Sequence, residues 1–108
     1  MSKSIDLSII ILNYNAKKFV IECIQSIEKS DKGNYRREII VVDNASEDGS
    51  VEALKKLQEK VEFQLIENNA NLGFSGGNNV GVRSAMGRHV LFLNPDTVVG
   101  SKTLVYIV

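Results

Sequence analysis

The 108-residue chain has few of the features that mark several large classes of protein. Its single cysteine, Cys23, excludes an internal disulfide, and an apolar helical position favours a buried, inert thiol there. No apolar run approaches the roughly 20 residues of a membrane-spanning helix, and the start MSKSIDLS lacks the architecture of a signal peptide. The formal net charge is zero with no basic block, which argues against nucleic acid as a partner. The expected location is the cytoplasm, with peripheral attachment at the inner face of a membrane as the alternative.

Four apolar runs are present, and each stops abruptly at a group of small polar residues. Runs that are apolar at consecutive positions are typical of strands buried on both faces, as in a parallel sheet covered by helices. The carboxyl ends of such strands share one edge of the sheet, where ligands bind. The runs are Leu7–Leu12, Ile39–Val42, Phe63–Ile66 and Val90–Leu93, and they end at Asn13-Tyr14-Asn15, Asp43-Asn44, Glu67-Asn68 and Asn94-Pro95-Asp96.

Helical spacing of apolar residues separates the strands and predicts a βαβαβαβ chain. The first helix is predicted over Lys17 to Lys29 with Asn15 as its N-cap, and the second follows a cap at Asp48 or Ser50. The third is predicted to turn Val82, Ala85 and Met86 inward and to end at Gly87 in a left-handed conformation. Strands are predicted at Leu7–Leu12, Glu38–Val42, Val61–Ile66 and His89–Leu93. This pattern indicates a parallel α/β three-layer sandwich with right-handed crossovers.

Two carboxylates at the predicted strand ends have alternative interpretations. Asp43 could accept hydrogen bonds from a nucleotide base or ribose, or it could only stabilise a turn. Asp96, held just beyond the fourth strand by Pro95, could bind Mg²⁺ or Mn²⁺ together with phosphates, or it could cap the next helix. The spacing of Gly73, Gly76 and Gly77 matches neither the dinucleotide fingerprint nor a Walker A loop.

Four motifs together resemble the nucleotide-binding half of family 2 glycosyltransferases with the GT-A fold. They are SIIILNYNA, EIIVVDNASEDGS, NLGFSGGNNVG and VLFLNPDT, and the resemblance covers essentially residues 5–108. The rhamnosyltransferase-like branch is the most similar, since its metal motif reads Asn-Pro-Asp. The resemblance implies a nucleoside-diphosphate sugar donor, a divalent cation (Mg²⁺ or Mn²⁺), and inverting transfer to a hydroxyl of a glycan or lipid-linked acceptor. It also implies a role in cell-surface polysaccharide or glycan synthesis.

The resemblance also assigns roles to residues of this sequence. A divalent metal would be held by Asp96, and Asn94 stands where the family usually has its first acid, which removes one formal charge. The other residues implied to contact the nucleotide sugar are Leu12, Asn13, Tyr14, Asn15, Asp43, Asn44, Gly73, Phe74, Asn78 and Asn79.

The resemblance implies a strand order 3-2-1-4 and a domain of which residues 1–108 form only the nucleotide-sugar-binding part. Family domains are usually more than twice this long, so the acceptor half and the catalytic base are expected beyond Val108. The apolar ending Thr103–Val108 favours the same interpretation, or a terminus buried against another subunit. Self-association through the uncovered side is a further expectation. The alternative function is a non-catalytic nucleotide-binding or assembly module of the same fold.

Overall fold

The computed structural model of the chain describes residues 4–30 and 33–100. Strands and helices alternate along these residues, as the sequence pattern predicts. In chain order the elements are β1 (Ile5–Asn13), α1 (Lys17–Lys29), β2 (Arg37–Asp43), α2 (Ser50–Leu57), β3 (Gln64–Glu67), α3 (Gly73–Ser84) and β4 (Gly87–Leu93).

The four strands form one parallel sheet in the order β3-β2-β1-β4, which confirms the predicted topology. Asn13 is paired with Asp43, and Asp43 with Glu67, so the carboxyl ends of β1, β2 and β3 lie side by side. On the other side of β1, Ile11 is paired with Leu93 near the end of β4. The order of the strands therefore reverses between β1 and β4, where α/β sheets commonly bind ligands.

The sheet is covered on both faces, and the residues of β1 alternate between two cores. Ile9 and Ile11 pack with buried side chains of α1 and α2 on one face. Ile10 packs on the opposite face with Val42 and with Val80 of α3. All three isoleucines are completely buried, which explains why β1 is apolar at consecutive positions instead of alternating.

Helix α3 lies very close to the sheet because glycines face it. A Cβ atom on Gly81 would lie 2.7 Å from Ile10 Cγ2, and one on Gly77 would lie 2.3 Å from Leu12 Cδ1. Its sequence GFSGGNNVGVRS contains several glycines, which are poor helix formers. The helix therefore depends on packing against β1 and β2 more than on its intrinsic propensity.

The predicted N-caps of the first two helices need correction. Asn15 does not cap α1: it adopts a positive φ of 51°, and the Lys17 backbone N–H donates instead to Asp48 Oδ2 at 3.0 Å. A contact from a distant loop thus replaces a local cap. For α2, the N-cap is Gly49, with a positive φ of 85° and no side-chain cap hydrogen bond, and not Asp48 or Ser50. Asp48 Oδ1 accepts from the Ser50 backbone N–H at 3.0 Å just ahead of the helix.

The predicted end of α3 is wrong in two respects. Gly87 is not a left-handed helix terminus but the first residue of β4, where a Cβ atom would lie 2.6 Å from the Ser8 backbone nitrogen. Met86 is 76% exposed and Val82 is 41% exposed, because the inward positions are taken by Gly77, Asn78 and Gly81. Ala85, the third residue predicted to face inward, is partly buried against the core as predicted, but the closest approach to the sheet is made by the glycines.

The strand boundaries differ from the predicted ones by a few residues. β3 begins at Gln64 instead of Val61, although Val61 and Phe63 are buried, and β4 begins at Gly87 instead of His89. The interpretation of Thr103–Val108 as a cut or buried ending lies outside the described residues. Within residues 4–30 and 33–100, no helix has the length and apolar character needed to cross a membrane.

Candidate functional site

A pocket of about 400 Å³ opens at the carboxyl edge of the sheet, on the face covered by α3. It lies where the strand order reverses. Its walls come from the ends of β1 and β4, from the residue after β2, and from the start of α3. Seven of the predicted site residues line it: Leu12, Tyr14, Asn44, Gly73, Phe74, Asn78 and Asn94.

The walls of the pocket carry no formal charge. Four asparagines supply hydrogen-bond donors and acceptors. Tyr14, Phe74 and Phe92 supply aromatic rings, and these side chains are 50%, 68% and 49% exposed. Amides suit the hydroxyl and base groups of a polar ligand, while aromatic faces suit a ring. Such a mixture of apolar surface and a few convergent polar groups is typical of small-molecule sites.

Asn44 links the end of β2 to the start of α3. It is only 2% exposed. Its Nδ2–H donates to the Gly73 carbonyl oxygen at 3.1 Å, and its Oδ1 accepts from Asn68 Nδ2 at 2.8 Å and from the Leu72 backbone N–H at 3.5 Å. Asn71 Oδ1 accepts from the Gly73 backbone N–H at 2.8 Å. Polar side chains therefore hold the first residues of α3 at the mouth of the pocket.

Asn13 and Asp43 point to the other face of the sheet and do not line the pocket. Both are completely buried. The Asn13 Nδ2–H donates to Asp43 Oδ1 at 2.9 Å, and the Ser46 backbone N–H and hydroxyl donate to the same carboxylate at 2.9 and 2.7 Å. Ala45, between them, has a strained φ of 63° that these contacts hold in place. Within the described residues, Asn13 Oδ1 is a buried acceptor without a hydrogen-bond partner.

The loops after β1 and β2 are joined by reciprocal hydrogen bonds. Asn15 Oδ1 accepts from the Glu47 backbone N–H at 2.7 Å, while the Asn15 backbone N–H donates to Ser46 Oγ at 2.9 Å. Asp48 accepts from Lys17 and Ser50. Slight burial raises the pKa of Asp48, but the hydrogen bonds from Ser50 and Lys17 outweigh it and leave the pKa lowered. Asn15 thus has a structural role in this loop pair and lies outside the pocket.

Asp96 follows β4 in an exposed turn closed by the Thr97 backbone N–H, which donates to the Asn94 carbonyl oxygen at 3.0 Å. Its carboxylate is not part of the pocket wall, although Asn94 and Pro95 are. Burial, with a smaller contribution from the charge of Asp96, raises the pKa of Cys23 to about 11. Cys23 is therefore a buried, protonated thiol, as the sequence predicts.

Asp96 is the residue predicted to bind a divalent metal. No group of three or more acidic, histidine or cysteine side chains that could hold a cation occurs within residues 4–30 and 33–100. A hard cation such as Mg²⁺ is often bound by one or two carboxylates together with phosphate oxygens and water. Asp96 supplies one such carboxylate, exposed at the rim of the sheet, so a cation there would take most of its ligands from water or from the phosphates of a bound molecule.

Sequence reasoning missed four residues of the pocket wall: Asn71, Phe92, Leu93 and Pro95. Phe92 was part of an apolar strand and gave no local sign that its ring would be 49% exposed at the pocket. Conversely, Asn79 is exposed on α3 and is not part of the wall. Asn71 could have been found as the side chain two residues before the positive-φ Gly73, a common turn arrangement.

A doubly wound sheet with a pocket of amides and aromatic rings at its switch point defines a class of ligand-binding α/β proteins. The family model described as "Glycosyl transferase family 2" matches residues 8–107, so the chain belongs to glycosyl transferase family 2. The poly(ribitol-phosphate) beta-N-acetylglucosaminyltransferase TarS of Staphylococcus aureus is 31% identical over 98 residues. These residues are 90% of this chain and 17% of that protein.

Solved structures agree with this membership. S. aureus TarS 1-349 in complex with UDP-GlcNAc has a TM-score of 0.85 and 29% identity, covering 95% of this chain and 30% of that one. The mannosyltransferase PcManGT from Pyrobaculum calidifontis, in complex with GDP-Man and Mn²⁺, has a TM-score of 0.86 and 25% identity, covering 95% and 31%. The chain therefore spans less than a third of the length of each of these relatives.

Proposed function

We propose that this chain is the donor-binding region of a glycosyltransferase. It binds a nucleoside-diphosphate sugar with a divalent metal, for inverting transfer of the sugar to a hydroxyl acceptor. The observation that carries this proposal is the uncharged pocket of amides and aromatic rings at the switch point of a family 2 sheet. Relatives of similar structure are described in complex with UDP-GlcNAc and with GDP-Man and Mn²⁺, which supports the same ligand class here.

The pocket suits the uncharged rings of the donor. Tyr14 and Phe74 offer ring faces for a base or sugar, and Asn44, Asn78 and Asn94 offer amide groups for its hydroxyls. Asn13 and Asp43, on the opposite face of the sheet, would support the pocket by holding its loops. They fix the loops after β1 and β2 through the hydrogen bonds that join Asn13, Asp43 and Ser46.

A divalent cation, when bound, would neutralise the charge of the diphosphate. Asp96 would be its protein ligand, since it supplies an exposed hard oxygen at the same rim as the pocket. Asn94 would contribute to the pocket and would not replace the missing acid.

The remaining parts of the reaction are proposed to lie outside this chain. The acceptor is a glycan or lipid-linked hydroxyl in cell-surface polysaccharide synthesis, and the base that takes its proton is proposed to lie beyond Val108. The proposed location is the cytoplasm, at or near the inner face of the membrane.

Calorimetry with a panel of nucleotides tests the proposal. The chain should bind at least one of UDP, GDP, UDP-GlcNAc and GDP-Man more tightly with Mn²⁺ than without it. Pyrophosphate alone should bind more weakly, because it reaches none of the aromatic rings. No binding by any of the four compounds would contradict the proposal. Donor binding by a full-length protein that transfers no sugar would favour the non-catalytic module instead.

A further inference from the structure

The side chain of Asn44 joins three separate segments at the wall of the pocket. We propose that Asn44 is a positioning residue: it fixes the start of α3 relative to the end of β2 and thereby sets the shape of the pocket. This proposal rests on the proposed function of the pocket, but it concerns the way in which the pocket is held open. Asn44 acts by holding α3 in place, in addition to any contact that it makes with a ligand.

The hydrogen bonds of Asn44 use both ends of the amide. The donor end meets the Gly73 carbonyl oxygen, and the acceptor end meets Asn68 Nδ2 and, at a longer distance, the Leu72 backbone N–H. The Asn44 backbone N–H donates to the Asn13 carbonyl oxygen at 2.9 Å. One buried residue therefore connects the ends of β1 and β2, the residue after β3, and the first turn of α3.

The start of α3 has few other constraints. Leu72, at its N-cap position, makes no capping hydrogen bond with its side chain, and the first turn has no acidic residue. Gly73 adopts a positive φ of 76°, and a Cβ atom there would meet nothing within 4 Å. Within residues 4–30 and 33–100, Asn44 and Asn71 supply the side-chain hydrogen bonds to Leu72 and Gly73.

Helix α3 packs closely against the side chain of Asn44. A Cβ atom on Gly77 would lie 2.9 Å from Asn44 Nδ2, so the helix touches the amide as well as the sheet. Only a side chain with both a donor and an acceptor satisfies its neighbours here. An aspartate would keep the acceptor toward Asn68 but would place a carboxylate oxygen against the Gly73 carbonyl.

The first test is hydrogen–deuterium exchange on the full chain without ligand. In Asn44→Ala, the amides of residues 72–77 should exchange about tenfold faster than in the parent, because the two side-chain hydrogen bonds from Asn44 to this turn are lost. Exchange in α1 should stay unchanged. Val20→Ala, a truncation in the core on the opposite face, serves as the control for a general loss of stability. Unchanged exchange at the start of α3 in Asn44→Ala would overturn the proposal.

The second test is nucleotide affinity, measured with UDP and Mn²⁺ or with whichever nucleotide the parent binds. Asn44→Ala should weaken binding about tenfold and Asn44→Asp at least as much, while Val20→Ala should change it less than about twofold. Equal losses in Asn44→Ala and Val20→Ala would contradict a positioning role. If the parent binds no nucleotide, the proposed function fails, and the exchange experiment still decides whether Asn44 positions α3. Should Asn44→Ala not fold, Asn44→Asp serves in both tests.

Discussion

A methyl group at Gly77 would test the close approach of α3 to the pocket. Its Cβ would lie 2.3 Å from Leu12 Cδ1 and 2.9 Å from Asn44 Nδ2, whereas carbon atoms pack best at about 3.5–4.0 Å. Leu12 and α3 would therefore separate by roughly 1 Å or more. Overpacking of this kind costs about 1–3 kcal/mol, and the better helix propensity of alanine returns roughly 1 kcal/mol. The net loss of unfolding free energy in Gly77→Ala should be about 0–2 kcal/mol.

The effect on nucleotide binding should be larger than this small change in stability suggests. Leu12 and Asn44 both line the pocket, so their displacement should weaken nucleotide binding on the order of tenfold. The assays are urea denaturation for stability and calorimetry with UDP or GDP and Mn²⁺ for affinity.

Gly81→Ala provides the matched control on the same helix. Its Cβ would meet Ile10 Cγ2 at 2.7 Å and Val42 Cγ2 at 3.2 Å, and neither residue lines the pocket. A similar loss of stability with little change in affinity is expected. Equal losses of affinity in both variants, or none in Gly77→Ala, would refute the argument that Gly77 shapes the pocket.

Three further predictions concern Asp96, Cys23 and the edge of the sheet. Asp96→Ala should keep the fold but lose the Mn²⁺-dependent part of nucleoside-diphosphate binding in calorimetry; unchanged binding would show that Asp96 is not a ligand. Burial raises the pKa of Cys23 from 9.0 to about 11 in the folded chain. The stability that the protonated thiol contributes should therefore be complete below about pH 9 and be lost as the pH rises toward 11. Cys23→Ala should remove that part of the fall in urea denaturation, and an identical pH profile would contradict it. The chain should self-associate through β4, an edge strand of the described sheet on which Val90 and Phe92 are exposed. Light scattering should show that Phe92→Lys is more monomeric than the parent. A parent that is monomeric at high concentration would contradict this.

The parallel alternation of strands and helices was predictable because the apolar runs and their spacing allow few topologies, and the strand order followed from the resemblance to family 2 glycosyltransferases. Ile9, Ile10 and Ile11 are apolar at consecutive positions only because both faces of β1 are covered. The end of each run then placed Asn13, Asp43 and Asn94 at one edge.

The details of α3 were not predictable from periodicity. The sequence suggests that Val82 and Met86 face inward, yet the sheet is approached by Gly77 and Gly81. Hydrophobic periodicity gives no weight to a glycine that allows close packing, and for this reason the wrong face was predicted. The pocket depends on the same face, since Asn78 lies between these glycines.

The division of the rim between two faces of the sheet was also not visible in the sequence. Asp43 and Asn44 are neighbours in the chain, but successive side chains of a strand point to opposite faces. Asp43 therefore binds Ser46 and Asn13, while Asn44 lines the pocket. Likewise, the cap of α1 comes from Asp48, which is 31 residues away from Lys17 and beyond the reach of local patterns.

The central claim is that a nucleoside-diphosphate sugar binds in the pocket between β1, β4 and α3. Its most direct test is a titration of the ¹⁵N-labelled chain with UDP-GlcNAc or GDP-Man and Mn²⁺, followed by amide chemical shifts. The largest shifts should occur at Leu12, Tyr14, Asn44, Gly73 and Asn78, with little change in the outer turns of α2. Shifts that are absent with both donors, or that concentrate away from this pocket, would contradict the claim.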